Sequence, residues 1–479
     1  MKPYQCILLS LCLILMMGSG ENRCFAGERV EVSFAEAWKM VIDENDRIKA
    51  AETRIRQAAF HQEGTGDLYL PEISFSAGLV FFSETIQMSP NDLFEHMENG
   101  LLAGQVAGTL AGGYGISPEQ LNHALTTTIA EQDNMIGSLN AIWPIYTGGR
   151  IEAACNIAAE QTRETRHQLD LETLTRFEEL VRIYFGVVLA RKVYETKKEV
   201  EEGLGKHRDH AVLLEKQGQI ARVEQMQSEA SYDKAVVERK KAERDLEIAG
   251  VALARLLKSS QPVIPTDQLF ISDTLPELES FIDDTLSHYP GLEILASKKT
   301  QAGELASVEQ GKYYPTVALY GNYRLYEENN LAMKLMPDWF MGIGVTVPLV
   351  DRSGRSGKLQ AARTAVRRLE YMENQASSDL SLLVEKTYRQ AMQALEEYRG
   401  LHSSIQLGRE TVELRAKAFS QGLGTSLDMV DAELFLAGVK TQRAVAVYNY
   451  VNALGKLFML GSKPESFFAH QNNRGIEEQ

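Results

Sequence analysis

Apolar residues along this chain follow two periods that alternate in a fixed order. From Val32 to about Thr65, the positions Ala35, Trp38, Val41, Ile42, Ile48, Ala51, Ile55, Ala58 and Ala59 fall near a 3.6-residue repeat. Ser33 stands where an N-cap belongs, so a helix is predicted. Pro71 ends it, and the period drops to two: Ile73, Phe75, Ala77, Leu79 and Phe81 alternate with Ser74, Ser76, Gly78, Val80 and Phe82. The predicted strand, 72–82, has the length of a tilted membrane strand, about ten residues. A second strand is predicted over 136–144, with Leu139, Ala141 and Trp143 on one face and Ser138 and Asn140 on the other, closing at Pro144. Between the two, residues 83–135 are rich in Gly, Ala, Met, Asn and Gln. Their glycines from Gly100 to Gly115 argue against a stable helix throughout, and the composition predicts a mobile loop rather than a packed plug.

Helical periodicity then returns on a scale that no globular core needs. One stretch runs from Gly149-Arg150 to Leu257 and turns at Gln217-Gly218-Gln219; another runs from Gly354-Arg355 to Gly461 and turns at Gln421-Gly422-Leu423-Gly424. Arg150 to Gly218 is 68 positions and Arg355 to Gly422 is 67, so the chain predicts two helical hairpins with the same unequal arms. At ~1.5 Å per residue the longer arm would reach roughly 100 Å, which points to a coiled coil or a helical repeat. Ala362, Val366, Leu369, Met372, Ala376, Leu380 and Leu383 recur three or four apart in the second hairpin. Mixed small and large residues suit helices packed side by side into a cylinder wall.

The second half repeats the order of the first. A helix over 278–311 precedes Tyr313-Tyr314-Pro315, which matches Tyr69-Leu70-Pro71 at an offset of 244. Strands are predicted over 316–326 and 339–348, the latter closing at Pro348. The expected layout is a first repeat over 27–258, a linker over 259–275 holding Pro262 and Pro265, a second repeat over 276–461, and a polar, mobile tail over 462–479. Four alternating strands cannot close a barrel, and open edges leave backbone groups that hydrocarbon cannot satisfy. Several chains contributing four strands each would close one. Phe81, Trp143 and Trp339 sit near strand ends, as interfacial girdles do. A soluble antiparallel sheet with one core face is the alternative, and it leaves the long hairpins without a purpose.

Composition narrows these options. The 479 residues are 44% hydrophobic and 24% charged, as in a folded protein, and a formal charge of −15 argues against nucleic-acid binding. Lys2 and the apolar run Ile7 to Met17 mark a signal peptide, taken as 1–26 with cleavage after Gly20 or Ala26. Cys6, Cys12 and Cys24 belong to the leader or its edge, which leaves Cys155 alone and excludes an internal disulfide. No later apolar run approaches 18 residues, so membrane residence would be through strands.

Catalytic motifs do not emerge. His207-Arg208-Asp209-His210 has metal-like residue types but one i, i+3 pair and no distant ligand, and reads as a solvated helix face. Ser353 to Lys358 is glycine-rich and basic without the spacing of a phosphate loop. Neither an enzyme nor a cofactor is expected.

The segments Trp143-Pro144-Ile145-Tyr146-Thr147-Gly148-Gly149-Arg150 and Val347-Pro348-Leu349-Val350-Asp351, with Gly354-Arg355, resemble the strand-to-helix junctions of the TolC-like outer-membrane factor family. So does the tip from Gly422 through Leu423, Gly424, Thr425, Ser426, Leu427 and Asp428 to Ala432, and the resemblance covers about 32–461. The first tip departs from the family pattern, with Gln219-Ile220-Ala221-Arg222-Val223-Glu224 where Gly-Leu and a Ser or Thr are usual. The resemblance implies a mainly helical homotrimer with an internal duplication: a twelve-stranded β-barrel in the outer membrane of a diderm bacterium, continued by a twelve-helix tunnel in the periplasm. It implies a passive duct for a tripartite efflux pump or type I secretion system, against the alternative of a non-membrane periplasmic scaffold or adaptor. Gly218, Gln219, Gly422, Leu423, Gly424, Thr425 and Ser426 would be tips that dock a periplasmic adaptor, with an inner-membrane pump or ABC transporter engaged indirectly. Asp428 and Asp431 match the family's gate acids, and a three-fold axis would make each a ring of three carboxylates. Their other reading is a solvated helix start, where the helix dipole favours acids.

Overall fold

The computed structural model describes residues 30–272, 275–334 and 336–472; the expected leader, 1–26, lies outside them. In chain order the elements are β1 (Val30–Val32), α1 (Phe34–Glu44), α2 (Asp46–Gly66), β2 (Glu72–Phe81), β3 (Ile86–Met88), α3 (Pro90–Glu95), α4 (Gly100–Gly113) and α5 (Pro118–Leu125). There follow β4 (Thr127–Tyr146), α6 (Arg150–Lys216), α7 (Arg222–Leu256), β5 (Val263–Pro265), α8 (Leu278–His288) and α9 (Pro290–Gly311). The chain closes with β6 (Thr316–Asn330), α10 (Leu331–Lys334), β7 (Trp339–Thr346), α11 (Arg355–Gly400), α12 (His402–Ser420), α13 (Ser426–Leu460) and α14 (Pro464–Asn472). No described helix is long and apolar enough to cross a membrane.

Ser33 caps α1 as predicted: its hydroxyl accepts the Glu36 N–H at 3.3 Å, and the Glu36 carboxylate accepts the Ser33 N–H at 2.8 Å. The single helix expected to Thr65 is broken at Asn45, which takes an extended ψ of 123° while its side chain accepts the Arg47 N–H at 2.9 Å. The second half breaks at Tyr289, because Pro290 disfavours helical geometry in the residue before it. Both breaks, the starts of α1 and α8, and the starts of β2 and β6 are 244 residues apart. The second long arm is interrupted only at Leu401, where backbone bonds to Glu397 (3.2 Å) and from Ile405 (3.0 Å) hold the helical register.

The chain divides into two units. One comprises residues up to Ala51, Leu169–Pro290 and Ser377 onward, and it holds the main apolar core. At its centre Phe34 is fully buried, with ring centroids 5.3 Å from Tyr184 and 5.2 Å from Phe467. The Tyr184 hydroxyl lies 2.9 Å from both the Val32 carbonyl and the Asp267 carboxylate, which itself accepts the Phe34 N–H at 2.7 Å. The 259–275 segment is therefore more than a linker. Its β5 pairs in parallel with β1, and Phe270 is buried in the core. The 462–479 tail also differs from its expectation over the described part. Residues 464–472 form α14, and Phe467 fills the aromatic cluster, because one pair of phenylalanines in a polar stretch is enough to dock a short helix.

The other unit comprises Glu52–Gln168 and Gly291–Ala376 and carries the sheet, ordered β2-β4-β6-β7 with β3 on the far part of β4. All pairings are antiparallel, and the register puts Phe75 opposite Leu139, Leu139 opposite Tyr323, and Tyr323 opposite Trp339. One face is thus apolar and exposed. The other carries a polar ladder across three strands: Ser76 Oγ to Ser138 Oγ at 3.1 Å, Asn140 Nδ2 to Ser76 Oγ at 2.9 Å, and Asn322 Nδ2 to Asn140 Oδ1 at 2.8 Å.

Residues 83–135 contain more structure than their composition predicts. Ser89 and Ser117 build capping boxes for α3 and α5, and β4 begins at Thr127, nine residues before the predicted strand. Its polar stretch Glu131-Gln132-Asp133-Asn134 shows no apolar alternation, although Asp133 and Asn134 pair with Phe81 and Val80. All of the glycines expected to prevent a helix except Gly115 lie within α4, where Gly100 is indispensable: a Cβ there would overlap the Phe94 carbonyl at 1.4 Å.

Candidate functional site

Both hairpins turn by the same device. Gly218 and Gly422 adopt φ of +69°, a conformation that strains any L side chain. Gln219 N–H then donates to Leu214 O at 2.8 Å, and Leu423 N–H to Ala418 O at 2.9 Å, each spanning five residues as a Schellman cap requires. The returning helices start differently. Thr425 caps α13 with a complete capping box: its hydroxyl accepts the Asp428 N–H at 3.2 Å, and the Asp428 carboxylate accepts from the Thr425 hydroxyl at 2.8 Å and its N–H at 3.2 Å. Ala221, at the N-cap of α7, has no hydroxyl to offer.

That missing hydroxyl has a structural consequence. Glu224 holds the position at which a capping-box acid would reach back, but its carboxylate instead accepts the Ser426 N–H of the second tip at 2.7 Å. Ser426 is fully buried, and its hydroxyl lies 2.6 Å from His207 Nε2 on α6. His207 also packs on the Phe419 ring, centroids 4.2 Å apart. The solvated face expected for His207 is corrected: the residue is 4% exposed, and it joins the two hairpins at their tips. A capping-box acid after an alanine was the one visible sign of this arrangement. The histidine gave none, since its partner is 219 residues away.

Asp428 and Asp431 both fall on α13, but their surroundings differ. Asp428 is held by the cap and by Arg415, with 3.4 Å between the guanidinium and the carboxylate. Hydrogen bonds from the Thr425 hydroxyl and backbone, with help from Arg415, lower its pKa below the ordinary aspartate value. Asp431, one turn on, is exposed.

Burial pushes the His207 pKa down to about 4, with the charge of His210 in the same direction and Glu224 opposing. A tip pulled open takes a proton below about 6.5, whereas the closed tip takes one only below about 4. Tip stability is therefore complete above pH 6.5, falls across that window and levels off beneath it. Amide exchange across 419–430, corrected for intrinsic rates, is expected to show protection falling as pH drops from 6.5 to 4 in the native protein and staying flat in His207→Gln. Equal profiles in both would remove His207 as the cause.

The junctions are equally well defined within their own unit. Gly148 and Gly149 have φ of +66° and +80°, and a Cβ on Gly148 would lie 2.5 Å from Gly311 O. Arg150 Nε donates to Thr147 O at 2.8 Å, and its guanidinium to Thr316 Oγ1 at 3.0 Å. At the second junction Gly354 has φ of +68°, and Arg355 donates to Pro348 O at 2.8 Å and Leu349 O at 3.0 Å while lying over the Tyr313 ring. The arginines predicted to open both hairpins thus tie the strand ends to the helix starts.

Long helical hairpins, and a sheet with one polar and one apolar face, are shared with solved outer-membrane channels. The fold matches the outer-membrane channel OprN over 90% of each chain (TM-score 0.73, 14% identity). The open-state MtrE outer-membrane channel of Neisseria gonorrhoeae matches over 90% of this chain and 89% of its own (TM-score 0.69, 15% identity). VceC of Vibrio cholerae, an outer membrane protein, matches over 93% and 97% (TM-score 0.67, 15% identity). The model of the outer membrane efflux protein family matches residues 281–460 of this chain. Protein CyaE of Bordetella pertussis (strain Tohama I) is 21% identical over 351 residues, covering 69% of this chain and 73% of CyaE. The family is one of transport ducts rather than enzymes.

Proposed function

We propose that three copies of this chain form a duct through the outer membrane and into the periplasm, serving as the passive exit of a tripartite pump or type I secretion system. The observation that carries this reading is the two-faced sheet. Four strands of membrane length present an exposed apolar row on one side and the Ser76, Ser138, Asn140, Asn322 ladder on the other. The outer strands β2 and β7 have free edges within one chain, and hydrocarbon cannot satisfy them. Three chains give twelve strands, enough for closure. The recurrence of helix breaks and strand starts at 244 residues supports an internal duplication, which lets one chain supply two similar hairpins to the wall.

The tips, Gly218-Gln219 and Gly422 through Ser426, are the surfaces for a periplasmic adaptor, and the inner-membrane transporter is engaged through it. Asp431 forms the gate ring, with Asp428 a turn away, ionised but partly neutralised by Arg415. A trivalent cation added to the tip side should block single-channel current in planar bilayers. Asp431→Asn should lose most of that block, and Asp428→Asn should lose less. Block that survives the double change would mean that these acids face away from the axis, and the ring would be abandoned. A chain that never inserts or conducts would favour the scaffold reading and overturn the duct.

A further inference from the structure

The two strand-to-helix junctions carry different charge. The matching stretch of the first, residues 146–164, holds two cations, Arg150 and Arg163, and three acids, Glu152, Glu160 and Glu164. Between Asp351 and Leu369 the second holds six cations and only Asp351 as an acid, within a chain of net charge −15. The apolar row of β7 does not stop at the strand end. Trp339, Met341, Ile343 and Val345 are all exposed, and the alternation continues through Val347 to Leu349. Leu349 is 82% exposed and the adjacent Val350 95%, beside the exposed Arg352 and Lys358.

The loop that displays them is braced. Arg355 holds the Pro348 and Leu349 carbonyls, and Asp351 accepts from the Ser353 N–H at 3.1 Å and hydroxyl at 2.8 Å. Two apolar side chains are thus held outward at a fixed place, where they avoid the ordering cost that a mobile loop would meet on insertion.

We infer that this second junction is a binding site for anionic phospholipid in the leaflet nearest the helices. Leu349 and Val350 enter the acyl boundary as a continuation of the lipid-facing row, and Arg352 and Lys358 take the phosphate-bearing headgroups above it. The inference rests on the membrane-strand reading of the sheet. Bilayer order matches the order of the residues: hydrocarbon along 339–347, the boundary at 349–350, headgroups at 352–358. The first junction, acidic on balance, lacks the partner charge, so each chain contributes one such site.

Native mass spectrometry of the full-length assembly, equilibrated with equal phosphatidylglycerol and phosphatidylcholine, is expected to show preferential retention of phosphatidylglycerol. Arg352→Gln and Lys358→Gln should each reduce that preference by about fivefold. The pair Leu349→Ser and Val350→Ser should lower retention of both lipids alike. Flotation with phosphatidylcholine vesicles tests the underlying reading by itself. Native protein that floats but shows no preference, or a preference that persists without the two cations, overturns the lipid site and leaves the membrane strands standing. Native protein that does not float overturns both. Loss of binding to isolated peptidoglycan sacculi in the cation variants, with lipid preference intact, would assign Arg352 and Lys358 to the cell wall instead.

Discussion

Ile343→Arg is expected to abolish the heat-resistant trimer on an unboiled denaturing gel and to deplete the protein from the outer-membrane fraction. Ile343 lies at the middle of β7, opposite Leu319, on the apolar row and exposed in the single chain. A cation near the bilayer midplane costs roughly 2–4 kcal/mol per site, and a closed trimer would carry three. Thr346→Arg is the control, because Thr346 lies on the opposite face of β7, which in the proposed barrel lines the lumen, so that only selectivity should change. If Ile343→Arg assembled as well as Thr346→Arg, the apolar row would not face lipid and the proposed barrel would be overturned.

Phe467→Ala should have the second largest effect, about 3–5 kcal/mol for removing a fully buried phenyl ring. The ring contacts Phe34, Phe177 and Phe270, so the loss is felt by α1, α6 and the segment after β5 together. Helical circular dichroism should melt several degrees lower, and protease should remove α14 before any other helix. A variant that melts with the native protein would mean that α14 adds little to the core, and that a polar tail was the better description of 462–479.

His207 and Phe467 show why some positions were not legible beforehand. Periodicity reports which face of an element is apolar, and on that basis the long hairpins, the four strands and their two faces followed from the residues. The 244-residue offset read from Pro71 and Pro315 also fell on the breaks at Asn45 and Tyr289, although no break was predicted there. A buried histidine on an otherwise charged helical turn has no periodic signature, and neither does a phenylalanine pair in a polar tail. Their burial depends on what the rest of the chain brings to them, here Ser426 and Phe419 for one and Phe34 for the other.

The two acids proposed for the gate divide along the same line. Spacing put Asp428 and Asp431 on successive turns of one helix, and a sequence can say no more than that. Asp428 is a capping residue because Thr425 precedes it by three, a local relation already written in the chain. Arg415, which offsets its charge, comes from across the hairpin. Local rules of capping, glycine turns and alternation therefore determined the elements and their ends from the sequence alone. Long-range packing, which depends on desolvation and on partners hundreds of residues apart, decided which polar groups are buried, which acid stays free, and that two apparent connecting segments belong to the core.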